Sequence, residues 1–225
     1  MAPQAADLAA NGARHWTRAA EFAVLYLGAP VAVAVLLPPS AMFPALFAVT
    51  ALGLVLLHVT PGFSWRELRA GAGSIGWRLV AVFTLATVAV RTAVVLATAP
   101  AAFLWLVRED PALMLMIAAL YPVLSALPQE IVFRPLFFRR YGALLPGDVR
   151  AQIVLNAAVF SLAHLMYWSW IVAAMTFAGG LAFAWSYRVR GNFPEAVMLH
   201  SLAGIVVFAL GLGVFFYSGN VARPF

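Results

Sequence analysis

Residues 112–138 read ALMLMIAALYPVLSALPQEIVFRPLFF, and the fold class turns on this stretch. It exceeds the about 20 apolar residues that cross a bilayer's hydrocarbon, so it reads as a membrane-spanning helix. Yet its C-terminal half carries Gln129, Glu130 and Arg134. A charge at the centre of a bilayer costs at least about 2.5 kcal/mol even on the gentler insertion scales, so such groups are functional candidates by default.

The rest of the chain agrees with that reading. Hydrophobic residues make up 64% of its 225 residues and charged residues 10%, against roughly half and a quarter in a soluble domain. Several stretches are apolar all round, which a soluble helix with a wet face does not tolerate. There is no cysteine, which excludes disulfides, iron–sulfur clusters, thiolate zinc sites and a cysteine nucleophile. The net charge of +6 comes from arginine alone. It reads as membrane topology, since no basic patch interleaved with aromatics points to nucleic acid.

The same ruler places spans at residues 19–37, 43–59, 77–99, 112–138, 152–168, 170–187 and 196–217, with a short interfacial helix at 101–107 anchored by Trp105. The expectation is an all-α polytopic transmembrane bundle of about seven helices (six to eight), one integral membrane domain over residues 1–225. The first apolar run starts only near residue 19 and is long enough to span, so no cleavable signal is expected. Arg14 and Arg18, then Arg66, Arg69 and Arg78, then Arg139, Arg140 and Arg150, then Arg188 and Arg190 fall in alternate connections. The positive-inside rule therefore puts the N-terminus in the cytoplasm and the C-terminus outside.

Depth then groups three polar residues. At about 1.5 Å per residue, Glu130 lies roughly 15 Å from Arg140, His200 roughly 15 Å from Arg190, and His164 about 20 Å from Arg150. Three helices thus deliver Glu, His and His to one level, which points to a water-accessible cavity where a carboxylate acts as base and imidazoles bind or polarise a substrate. The alternative for Glu130 and Arg134, four residues apart on one face, is a structural ion pair. Asn156, two turns before His164, reads as a helix–helix hydrogen-bonding residue. Arg91, midway along the third span, either neutralises an acid or snorkels. Glu21 and Glu195 read as solvated boundary residues.

These residues resemble a known family. The pattern Glu-Glu-x-x-x-Arg, Phe-x-x-x-His, His-x-x-x-Asn on three membrane helices is the signature of the CAAX-protease and bacteriocin-processing (CPBP, Abi) family, which includes the Rce1-type prenyl endopeptidases. Here it is matched by Gln129-Glu130-Ile131-Val132-Phe133-Arg134, Phe160-Ser161-Leu162-Ala163-His164 and His200-Ser201-Leu202-Ala203-Gly204, within a core over residues 112–217. The resemblance implies a glutamic-type intramembrane endopeptidase of a bacterial inner membrane. Its substrate would be a protein or peptide cut near a membrane-embedded or lipid-modified end.

On that reading Glu130 activates water, Arg134 keeps it ionised, and His164 and His200 hold the water and the developing oxyanion. Gln129 orients by hydrogen bonding, Phe160 and Asn156 line the substrate site, and no cofactor, metal or nucleic acid is implied. Two positions depart from the pattern. The first acid, assigned in the family as the base, is Gln129, and the oxyanion-holding Asn is replaced by Gly204. Either Glu130 serves a variant site, or the chain is a catalytically silent scaffold or immunity-type binder. A proton-coupled transporter and a metal site on His164, His200 and Glu130 are the remaining alternatives. Pro128 and Pro135 flank the motif, and the twist they impose decides where Glu130 points.

Overall fold

The computed structural model describes residues 15–224, so Arg14 lies outside the described residues. Among them the secondary structure is helical throughout, with no strand. Helix α1 covers His15–Leu36, α2 Met42–His58, α3 Trp77–Thr98 and α4 Trp105–Glu109. Helix α5 covers Pro111–Arg140, α6 Val149–Leu162, α7 Trp170–Arg188 and α8 Phe193–Ala209. Counting α6 together with the helical turn that carries it on to Tyr167, five segments are long and apolar enough to cross a membrane, and α2 and α8 are shorter apolar helices. This is the integral membrane bundle expected from the apolar runs.

Most ends fall within a few residues of their expected places because capping residues set them. Asp110 accepts from the Leu113 N–H, Asp148 from Ala151, Ser169 from Val172 and Asn192 from Glu195, satisfying donors left free at helix starts. The last helix departs from expectation. It was expected to run to Tyr217 but ends at Ala209, because Gly211 adopts φ +95°. A side chain there would meet the Ala102 carbonyl oxygen at 1.9 Å. The chain then continues as a 3-10 turn, Leu212–Phe215, back against the loop before α4.

Helix α5 positions the site and is the least regular element. It is α-helical at Pro111–Tyr121, π-helical at Pro122–Ala126, α-helical at Leu127–Ile131 and π-helical again at Val132–Arg140. Pro122, Pro128 and Pro135 remove three N–H donors from it, and a helix that loses donors widens locally. The Val132 carbonyl is taken up by the Tyr26 hydroxyl from α1 at 2.6 Å. Tyr26, Phe133, Phe137 and Tyr141 pack ring to ring around that bond, which holds the distorted segment to α1.

Helices α6 and α7 pack closely because Gly180 faces Ala157, where an added side-chain carbon would sit 3.1 Å from the Ala157 Cα. Helix α8 packs against α3, α5 and α7. The two boundary glutamates behave differently from expectation. Glu195 is 0% exposed and accepts from the Gly76 N–H at 2.7 Å, the Ser186 hydroxyl at 2.8 Å and Arg190 at 2.6 Å, joining α7 and two connections at one end of the bundle. Those bonds to the carboxylate also hold the Arg190 guanidinium above its ordinary range. Glu21 pairs with Arg140 and accepts from the Tyr141 hydroxyl at 2.8 Å. Both are structural clamps at the arginine-rich end.

Candidate active site

Glu130, Arg134 and His200 meet at the centre of the bundle. Glu130 and Arg134 are both 0% exposed. One Glu130 oxygen accepts from Arg134 Nε at 2.8 Å. The other accepts from Arg134 Nη2 at 3.2 Å and from His200 Nδ1 at 2.9 Å. Arg134 also donates to the Asn156 side-chain oxygen, and the Asn156 amide donates to the Phe133 carbonyl at 2.7 Å. Every charge in this network has a partner, as a dry site requires.

The hydrogen-bond partners assign the tautomer of each imidazole in its neutral form. An ionised carboxylate only accepts, so His200 carries its proton on Nδ1 and presents Nε2 as an acceptor. The Tyr121 hydroxyl lies 3.3 Å from that Nε2 and donates to it. His164 sits just past the end of α6, and its Nδ1 lies 2.8 Å from the Phe160 carbonyl, one of the acceptors a helix terminus leaves free. A carbonyl cannot donate, so His164 Nε2 is an acceptor too. Phe183 stacks on the His200 ring at 4.9 Å and 11°, and Phe160 stands edge-on to both imidazoles.

Two neighbouring spaces adjoin these rings. A cavity of about 40 Å³ is lined by Arg91, Tyr121, His164, Thr176, His200 and Gly204. That is room for a water molecule, with polar partners around it. A larger, mostly apolar groove of about 430 Å³ runs past Phe43, Leu124, Gln129 and Tyr167, and shares Tyr121, His164 and Gly204 with the cavity.

The predicted residues therefore divide. Glu130, Arg134 and His200 come together, and His164 and Phe160 line the cavity beside them. Gln129 points elsewhere, into the groove, and donates to the Ser125 hydroxyl at 3.0 Å. Asn156 is 0% exposed and braces Arg134, facing neither the groove nor the cavity. Glu130 lines neither space, and its two oxygens are occupied by Arg134 and His200. Among the described residues no three His, Asp or Glu side chains form a metal-binding group.

Tyr121 and Arg91 also line the cavity, and sequence reasoning assigned neither a place there. A signal for Tyr121 existed: Tyr121, Ser125 and Gln129 recur every fourth residue and share a face of α5. The Tyr121 ring occupies the space over Gly204, where an added side-chain carbon would lie 2.0 Å from it.

A buried carboxylate–imidazole pair lies beside a water-sized cavity, enclosed by helices long enough to cross a bilayer, as in an integral membrane protein. Residues 110–216 match the family model of the type II CAAX prenyl endopeptidase Rce1-like proteins. Over those residues the chain is similar to the Rce1-like family, and that match supports a CAAX-type intramembrane protease at family level. No curated protein and no solved structure matches it.

Proposed function

We propose that the chain hydrolyses a peptide bond near a membrane-embedded or lipid-modified terminus of a protein, and that Glu130 activates the water through His200. The observation that carries this is the 2.9 Å bond from His200 Nδ1 to Glu130, with the opposite ring nitrogen turned toward the cavity. A carboxylate behind an imidazole fixes its tautomer and stabilises its protonated form. Arg134 keeps Glu130 ionised.

Water in the cavity is held by His164 Nε2 and His200 Nε2. As its oxygen attacks the scissile carbonyl carbon, its proton passes to His200 Nε2. When the tetrahedral intermediate collapses, the C–N bond breaks and His200 returns that proton to the leaving amine, giving one new amine and one new carboxylic acid, which then loses its remaining proton to solvent or to the amine. The groove beside Gln129 takes the substrate segment, whose backbone groups Gln129 hydrogen-bonds. No metal, cofactor or nucleic acid enters the scheme. The arginine-rich end faces the cytoplasm in this reading, which puts the N-terminus on the cytoplasmic side of a bacterial inner membrane and the C-terminus outside.

Gln129 favours a second reading, a catalytically silent peptide binder, because the groove-facing side chain at that position carries no charge. The two separate in cells expressing the wild type or His200→Ala, by mass spectrometry of membrane-protein termini. The proposal expects a new terminus with the wild type alone. Identical termini in both strains overturn it.

A further inference from the structure

We infer that Arg91 and Tyr121 form an anion-binding subsite, which takes an anionic oxygen of the peptide substrate on the side of the cavity opposite Glu130. The inference rests on the protease reading for the identity of its ligand, and on the following geometry for its existence.

Arg91 lies on α3, deep in the bundle and 9% exposed. Its only hydrogen bond among the described residues is to the Ala203 carbonyl, a neutral group, and it has no carboxylate within ion-pair distance. The other buried guanidinium among the described residues, Arg134, has an acid, Glu130. An unpaired cation at membrane depth is costly, and such groups face the bundle interior to meet a charge there. The side chain lines the same cavity as His164 and His200.

Tyr121 supplies the second donor. Its hydroxyl rests on His200 Nε2 at 3.3 Å, a long bond that water entering the cavity displaces as it takes over that acceptor. The freed O–H, which also has the Ser125 hydroxyl within reach, is then available to the substrate. The glycine at 204 makes this placement possible, since any larger residue collides with the Tyr121 ring.

The chemistry demands such a subsite. Both imidazoles present acceptor nitrogens to the cavity, so neither is a donor when attack begins, while negative charge grows on the substrate oxygen. Preorganised donors at the position where charge develops are the largest single term in many hydrolases, each worth about 10²–10³ in rate. The anionic oxygen has two sources, the tetrahedral intermediate at the scissile carbonyl or a free α-carboxylate at the substrate's C-terminus. Arg91 and Tyr121 recognise the same chemistry in both.

The test uses the full chain in lipid nanodiscs, with Arg91→Gln, Arg91→Lys and Tyr121→Phe. Tyr121→Phe keeps the ring over Gly204, and Arg91→Lys keeps the charge should Arg91→Gln fail to fold. Binding of three peptides is measured without turnover: one with an anionic phosphonate at the scissile position, one with a free C-terminus, and one amidated. If the intermediate is the source, phosphonate affinity falls about 100-fold in Arg91→Gln and about 10-fold in Tyr121→Phe, with Arg91→Lys between wild type and Arg91→Gln. If the carboxylate is the source, the wild type prefers the free acid to the amide, and Arg91→Gln abolishes the preference. A functional cation is also one whose removal leaves thermal stability unchanged or raised, whereas a structural one lowers it. Wild-type affinity for both anionic peptides in Arg91→Gln and Tyr121→Phe overturns the subsite. Anion binding through Arg91 by a protein that cuts nothing contradicts the protease reading and leaves the subsite standing.

Discussion

Replacing Glu130 by Gln separates the two jobs assigned to this carboxylate. The side chain is fully buried and receives hydrogen bonds from Arg134 at 2.8 and 3.2 Å and from His200 at 2.9 Å. Glutamine keeps the shape but removes the charge and turns an NH₂ group toward donors. Arg134, itself 0% exposed, is left as an uncompensated cation. Losing one partner of a buried pair costs about 3–5 kcal/mol. At about 2–4 °C per kcal/mol for a chain of this size, Tm falls by about 6–20 °C. Turnover falls further, because a carboxylate that orients a catalytic imidazole is worth about 10⁴ in rate. The double variant Glu130→Gln/Arg134→Met leaves no uncompensated charge at this pair, so it recovers most of the lost stability and none of the activity. Thermal unfolding in nanodiscs and cleavage of a lipidated peptide read the two effects separately. Wild-type Tm and turnover in Glu130→Gln refute this reasoning, as does a double variant no more stable than the single.

Further outcomes follow from the same geometry. His164→Ala removes an acceptor from the cavity and a cap on the Phe160 carbonyl; peptide cleavage should drop about 10²–10⁴-fold while Tm stays close to wild type. Gln129→Glu puts a carboxylate on the groove wall next to Ser125 and should leave cleavage similar or higher; conversion of an inert wild type into an active enzyme would instead establish the silent reading. Gly204→Ala drives a methyl group into the Tyr121 ring and should cost about 1–3 kcal/mol together with activity. Its stability loss, though not its activity, should be relieved by adding Tyr121→Ala, and a fully stable, active Gly204→Ala would show that the ring moves freely.

Span existence was legible because hydrocarbon thickness translates directly into residue number, as the runs that became α1, α3 and α7 illustrate. The end of α8 was not, because Gly211 and Gly213 sit in an apolar run and only the close approach of Ala102 reveals that the chain turns there. Equal depth correctly grouped Glu130 with His200. Which of the two adjacent residues faces inward was hidden, since the face that Leu127–Ile131 turns to the bundle is set by the π-helical turns on either side of it. Glu195 lay near a helix start and read as solvated, yet it is buried because the loop before α3 folds over it. Arg91 was visible as a charge in a span. Its lack of an acid is a three-dimensional fact.

The decisive measurement is made on the purified chain in liposomes, given a peptide with a lipid-modified C-terminal region in water enriched in ¹⁸O and followed by mass spectrometry. The Glu130–His200 mechanism predicts a single cut in the wild type, one ¹⁸O in the new carboxylate, and no cut with His200→Ala. Cleavage that persists at the wild-type rate in His200→Ala, or a wild type that leaves every such peptide intact, would contradict it.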